Sequence, residues 1–218
     1  MPPVLENLRV MELLASRICH DLISPVGAIS NGVELLEEMG AQVGEEAAKL
    51  IGHSSEQAAR RLRLFRVGYG AAGADANLSC DDILTTLRDY LAGSRAAISW
   101  DAAVMKDITG QPRGVPKVLL NLLIVAVENL VHGGTIEVAR PEPGRLTILA
   151  QGRGAGTREE AWPALKGDVA IDDLTARSIH PYITARFAEH YGVKLGWSQS
   201  GEDRLDMSLV YTPVPVAA

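Results

Sequence analysis

Residues 17–25 read Arg17-Ile18-Cys19-His20-Asp21-Leu22-Ile23-Ser24-Pro25, near the start of a long amphipathic run. At about 100° per residue, with Leu22 as reference, Met11, Leu14, Ala15, Ile18, Val26, Ile29, Val33 and Leu36 fall within roughly 80° of one line. His20 falls about 160° from that line. The spacing therefore points its imidazole off the polar back of the helix into solvent, with Arg17 one turn before it and Ser24 one turn after. A lone surface histidine is ordinarily an unremarked polar residue, but this one has a particular context. Pro25 lies inside an apolar pattern that continues to Leu36, so the helix runs through it. The ring removes the amide that would have bonded the Asp21 carbonyl, and a kink is expected just after the histidine.

Working outward, residues 8 to about 38 make one helix, ending at Met39-Gly40, where glycine suits a left-handed cap. A second helix starts at Gly44-Glu45-Glu46, with acids at the positive end of its dipole. Ala47, Ile51, Ser54, Ala58, Leu62, Phe65 and Tyr69 share one of its faces. The two form an antiparallel hairpin of helices about 40 Å long. Its apolar stripe is too wide to bury against one partner, so two hairpins from two chains are expected to pair as a four-helix bundle, making the protein a homodimer. The turn near residue 41 brings the level of His20 opposite about residue 62. Arg60 and Arg63 point away from the apolar face at that level. With Arg66 they are either a solvated, dipole-complementing helix end or a basic rim that attracts an acidic or phosphorylated partner.

The small-residue stretch Gly68-Tyr-Gly-Ala-Ala-Gly-Ala-Asp75 is the best domain boundary. It divides a hairpin over 1–70 from a linker at 71–77 and a second domain over 78–218. Beyond it the pattern predicts a helix over 81–91, a strand over 97–104 and an apolar helix over 116–131. Strands follow over 135–139 and 145–150, then a glycine-rich turn, a helix over 175–191 closed by Gly192, and a hairpin of 193–199 with 204–211. This is a sheet with helices on one face, and the whole is an α+β fold.

Composition excludes several classes. The chain has 218 residues, 47% of them hydrophobic, and a net charge of −6, which argues against phosphate-backbone binding as its main work; no nucleic-acid partner is expected. No run of 18 apolar residues exists, and the first residues lack a basic, apolar signal pattern, so a soluble cytoplasmic protein without a membrane partner is expected. Cys19 and Cys80 lie far apart, with no metal-ligand spacing, and Cys19 reads as packing at the edge of the apolar face.

His20-Asp21-Leu22-Ile23-Ser24-Pro25 resembles the box of bacterial sensor histidine kinases, whose dimerisation hairpin carries a phospho-accepting histidine followed by an acid and, five residues on, a proline. Lys117-Val-Leu-Leu-Asn121-Leu-Leu-Ile-Val125-Ala-Val-Glu-Asn129, followed by Gly133-Gly134-Thr-Ile-Glu-Val138, is similar to the helix and strand that hold the nucleotide in those kinases. The resemblance implies a Bergerat-type α/β sandwich, but with departures. The second magnesium-holding asparagine is Val125. The adenine-reading aspartate of Asp-x-Gly-x-Gly is Ala150, in Ala150-Gln151-Gly152-Arg153-Gly154. Where a Gly-x-Gly turn should precede the next helix stands Ser178-Ile179-His180-Pro181-Tyr182. Neither apolar side chain can replace the group it stands for, so the domain is read as degenerate and no longer using ATP.

A histidine hairpin joined to such a domain resembles the ChpT-type histidine phosphotransferases, dimeric relay proteins of two-component signalling. The resemblance implies that His20 takes phosphoryl from the receiver domain of a hybrid histidine kinase and passes it to the aspartate of a response regulator. Asp21 either orients the ring or covers the dimer seam. Ser24 either bonds the phosphoryl group or tolerates the Pro25 kink. Ile23, Gly27 and Asn31 are expected to meet the receiver, together with Arg60 and Arg63. Mg²⁺ is expected on the receiver, with no cofactor or metal held here. His53, His132, His180 and His190 compete poorly, the last three being assigned to capping or packing. The rival readings are a divergent ATP-dependent kinase and a non-catalytic dimerisation or inhibitory module.

Overall fold

In a computed structural model, the structure describes residues 3–40, 43–71, 79–101, 104 and 112–213. Helix α1 spans Pro3–Met39 and runs unbroken through Pro25, which is buried. Its end is set by Gly40 at φ 57°, a left-handed conformation that glycine adopts without strain. Helix α2, Gly44–Gly68, carries Glu45 and Glu46 in its first turn and packs back along α1. At Gly32 the helices come close enough that a Cβ would stand 2.6 Å from Ile51 Cγ1, so the small residue permits the spacing of the hairpin there.

Helix α3, Cys80–Leu91, opens with a capping box: the Ser79 Oγ accepts the Asp82 amide at 3.1 Å and the Asp82 carboxylate accepts the Ser79 amide at 3.0 Å. Strands β1 (Ala96–Trp100), β2 (Gly134–Glu142), β3 (Arg145–Gln151), β4 (Lys194–Gln199) and β5 (Arg204–Val210) form one sheet in the order β1-β2-β3-β5-β4. Among the described residues only the β1–β2 pair is parallel. Helices α4 (Val115–Glu128) and α6 (Ile179–His190) lie on one face of this sheet. Leu119, Leu122 and Leu123 of α4 meet Ile136, Leu146, Ile148 and Leu205 there, all fully or almost fully buried. The opposite face is an open hollow of about 500 Å³ between Glu137, Thr147, Trp197 and Arg204. It shares no element with His20.

The α+β architecture matches the expectation, while several boundaries differ. The first strand ends at Trp100, because the Val104 amide turns back to the Asp101 carbonyl at 2.9 Å. Helix α4 stops at Glu128, where the Asn129 side chain donates to the Val125 carbonyl. Helix α6 starts at Ile179 because Thr175 and Ser178 bond each other's backbone and hydroxyl groups in a turn. A short helix, α5 (Ala161–Lys166), lies between the glycine-rich turn and the next helix, where none is expected, with Trp162 stacked on Trp197 at 6.0 Å. All but Ala71 of the expected linker lies outside the described residues.

The hairpin's apolar stripe is only half covered. Met11 is 65% and Leu62 53% exposed, and Val26 and Val33 are exposed beside them. Cys19, expected to pack at the stripe's edge, is exposed as well. No helix among the described residues is long and apolar enough to cross a membrane.

Candidate functional site

The His20 side chain is 87% exposed on the outer face of α1. Its Nδ1 lies 3.3 Å from Asp21 Oδ1. An ionised carboxylate only accepts, so Nδ1 is the protonated nitrogen in this contact, and in the neutral imidazole the lone pair lies on Nε2, towards solvent. Ile23, Ser24, Gly27 and Asn31 follow at helical spacing on the same side. Ile23 is 72% exposed, and Ser24 and Asn31 are also exposed. Gly27 has open space where a Cβ would stand. The result is a low, mixed surface centred on one nitrogen nucleophile.

The arginines fall out differently from expectation. Arg17 does not stand in solvent beside His20. It turns inward to an ion pair with Glu128 at the end of α4, leaving the two side chains 11% and 15% exposed. Periodicity within α1 cannot reveal a carboxylate supplied by another domain. Arg60 pairs with Glu56 at 2.6 Å along its own helix, and Arg63 lies 3.6 Å from Asp89 of α3. The arginine that crosses to the His20 level is Arg61, whose Nη1 donates to the Asp21 carbonyl. Arg60 and Arg61 line a cleft of about 370 Å³ with His53, Gln57 and Tyr90.

Behind Arg17 a buried polar chain ties the hairpin to the second domain. His180, fully buried, faces the Asn121 carbonyl with Nε2 at 3.1 Å and the Tyr69 hydroxyl with Nδ1 at 2.8 Å. A carbonyl only accepts, so Nε2–H donates to it and Nδ1 accepts from the phenol. Burial, with the Arg17 charge nearby, lowers the imidazole to about 3. Burial likewise pushes the Tyr69 phenol above its ordinary value. Lys117 donates to the Tyr69 and Gly70 carbonyls at 3.3 and 2.8 Å, and Asn121 donates to the Gly68 carbonyl at 2.8 Å. These contacts are absent from the sequence reading; only the polar identities of Lys117, Asn121 and His180 within apolar helices signalled them. Among the described residues no group of three or more His, Cys, Asp or Glu side chains is placed to hold a metal.

The fold, a helical hairpin with an exposed histidine joined to an α/β sheet domain, is shared with proteins of known family. The family model described as the histidine phosphotransferase C-terminal domain matches residues 80–203. The protein phosphotransferase ChpT of Brucella abortus (strain 2308) is 34% identical over 208 residues, covering 93% of this chain and 96% of that relative. A solved structure described as a bacterial phosphotransferase at 1.7 Å superposes with a TM-score of 0.77 at 32% identity, over 93% of this chain and 96% of its own. The chain belongs to the histidine phosphotransferase family.

Replacing Glu128 with Leu strands the Arg17 charge and is expected to lower stability by on the order of 3 kcal/mol, much of it recovered in the Arg17→Met, Glu128→Leu double variant, as read by urea unfolding. His180 gives a pH signature. Between its ordinary value of 6.5 and about 3 the unfolded chain binds a proton that the folded one refuses. Stability is therefore fully present above that window and falls as pH drops through it. The His180→Gln variant should lose this part of the acid slope in unfolding titrations.

Proposed function

We propose that His20 is the phosphoryl acceptor of a two-component relay, taking the group from the receiver domain of a hybrid histidine kinase and delivering it to a response-regulator aspartate. The observation that carries this is the imidazole itself: fully presented, with Nδ1 occupied by Asp21 and Nε2 free. The Nε2 lone pair attacks the aspartyl phosphate in line, the N–P bond forms, and the P–O bond to the receiver carboxylate breaks. Nδ1 keeps its proton throughout, and the Asp21 carboxylate stabilises the positive charge that develops on the ring. The reverse attack, by the second receiver's carboxylate, regenerates neutral His20. Mg²⁺ belongs to the receiver in this scheme, where it offsets the phosphoryl charge.

Ile23, Gly27 and Asn31 form the docking surface, with Arg60 and Arg63 at its basic edge and Ser24 within reach of the phosphoryl oxygens. Gly27 supports this reading: a mid-helix glycine costs roughly 0.5–1 kcal/mol relative to alanine, and none of the described residues crowds the position. The partner's approach, rather than the protein's own packing, then accounts for the missing side chain.

ATP has no part in the reaction. Asn121, at the position that resembles a kinase nucleotide contact, and Lys117 before it are spent on the protein's own carbonyls at the end of α2, and Val125 and Ala150 are buried and apolar. The protein works as a cytoplasmic homodimer whose half-covered stripe, with Met11, Val26, Val33 and Leu62, closes a four-helix bundle against a second hairpin.

With a phosphorylated receiver, Mg²⁺ and no ATP, acid-labile label is expected on His20. The His20→Gln variant should take none yet elute as the same dimer; retained label or a monomer would sink the corresponding claim. Gly27→Ala is expected to raise stability by about 0.5–1 kcal/mol in thermal unfolding. Gly27→Trp should raise the KM for the receiver severalfold with the fold intact.

A further inference from the structure

Pro25 has no amide hydrogen, so the Asp21 carbonyl four residues earlier has lost its helical donor. A main-chain carbonyl left that way needs a partner from elsewhere. Arg61 supplies it from α2, across the hairpin. Asp21 is therefore held at two points. Its backbone oxygen is fixed by Arg61, and its carboxylate oxygen lies 3.3 Å from His20 Nδ1. The neighbouring Arg60 and Arg63 are engaged with Glu56 and Asp89, so neither offers a substitute.

We infer that Arg61 is a positioning residue for phosphoryl transfer: by capping the carbonyl that Pro25 orphans, it holds the Asp21 carboxylate on the His20 ring and keeps the proton on Nδ1. The inference rests on His20 being the acceptor. Without Arg61 the Asp21 backbone tilts towards water to find a donor, as carbonyls on the solvent side of bent helices do. The carboxylate leaves the ring, and the imidazole is then free to carry its proton on Nε2. That tautomer has no lone pair on the atom that must attack. Arg61 thus acts through Asp21, without touching the phosphoryl group.

Pro25 provides the test, because Pro25→Ala restores an amide at the orphaned carbonyl and makes Arg61 redundant. The full-length wild type, Arg61→Met, Pro25→Ala and the double variant are compared by ¹⁵N NMR of the His20 ring and by transfer from a phosphorylated receiver with Mg²⁺. Arg61→Met should shift the ring towards the Nε2–H tautomer and lower kcat about tenfold, with KM for the receiver unchanged. In the Pro25→Ala background the same substitution should change neither. An equal loss in both backgrounds, a rise in KM alone, or an unaltered tautomer would overturn the inference. A coupled tautomer in a wild-type protein that takes no label on His20 would support the role of Arg61 at the ring and count against the relay reading instead.

Discussion

A guanidinium taken out of water costs several kcal/mol unless a carboxylate meets it, and Arg17 is met by Glu128. The two come from elements far apart in the chain. Arg17 lies one turn before His20, and Glu128 closes the helix that fills the core of the sheet domain. Their pairing sets where that domain sits along α1. The bonds around it follow: Tyr69 reaches His180, Lys117 and Asn121 hold the carbonyls at the end of α2, and the Lys117 ammonium also lies 4.0 Å over the Phe187 ring. A polar seam of this kind fixes register and angle between the hairpin and the sheet domain in a way that a greasy contact does not, because each donor is satisfied only by acceptors at fixed places.

Part of α1 is thus committed to α2 and to the sheet domain, and the face that carries His20 stays open for chemistry. Pro25 adds a second constraint, since a proline buried inside a helix forces some other group to answer its missing amide. Both constraints act within two turns of His20.

Much of this was legible in the chain. The 3.6-residue period of α1 placed His20, Ile23, Gly27 and Asn31 outward correctly, because exposure on an uncrossed helix face depends only on local geometry. The order of strands and helices followed from turn residues and apolar runs for the same reason. The arginines were not legible. Arg17, Arg60, Arg61 and Arg63 are chemically equivalent in a sequence, and which of them crosses a gap depends on where Glu128, Glu56, Asp89 and the Asp21 carbonyl stand in space. The boundaries of α6 and β1 failed because side-chain bonds at Thr175 and Ser178 and a backward bond at Asp101 override propensity. The short α5 helix owes its place to the Trp162–Trp197 stack, a contact between residues distant in the chain.

The outward face of α1 holds one histidine within a patch only a few residues long. Under the relay reading, donor and acceptor both need that patch, and two globular domains cannot occupy it together on one protomer. Delivery and collection must then alternate, with the phosphoryl group parked on the imidazole during the interval. Throughput is governed by how quickly the first visitor leaves, so tight binding of either receiver would slow the exchange it serves.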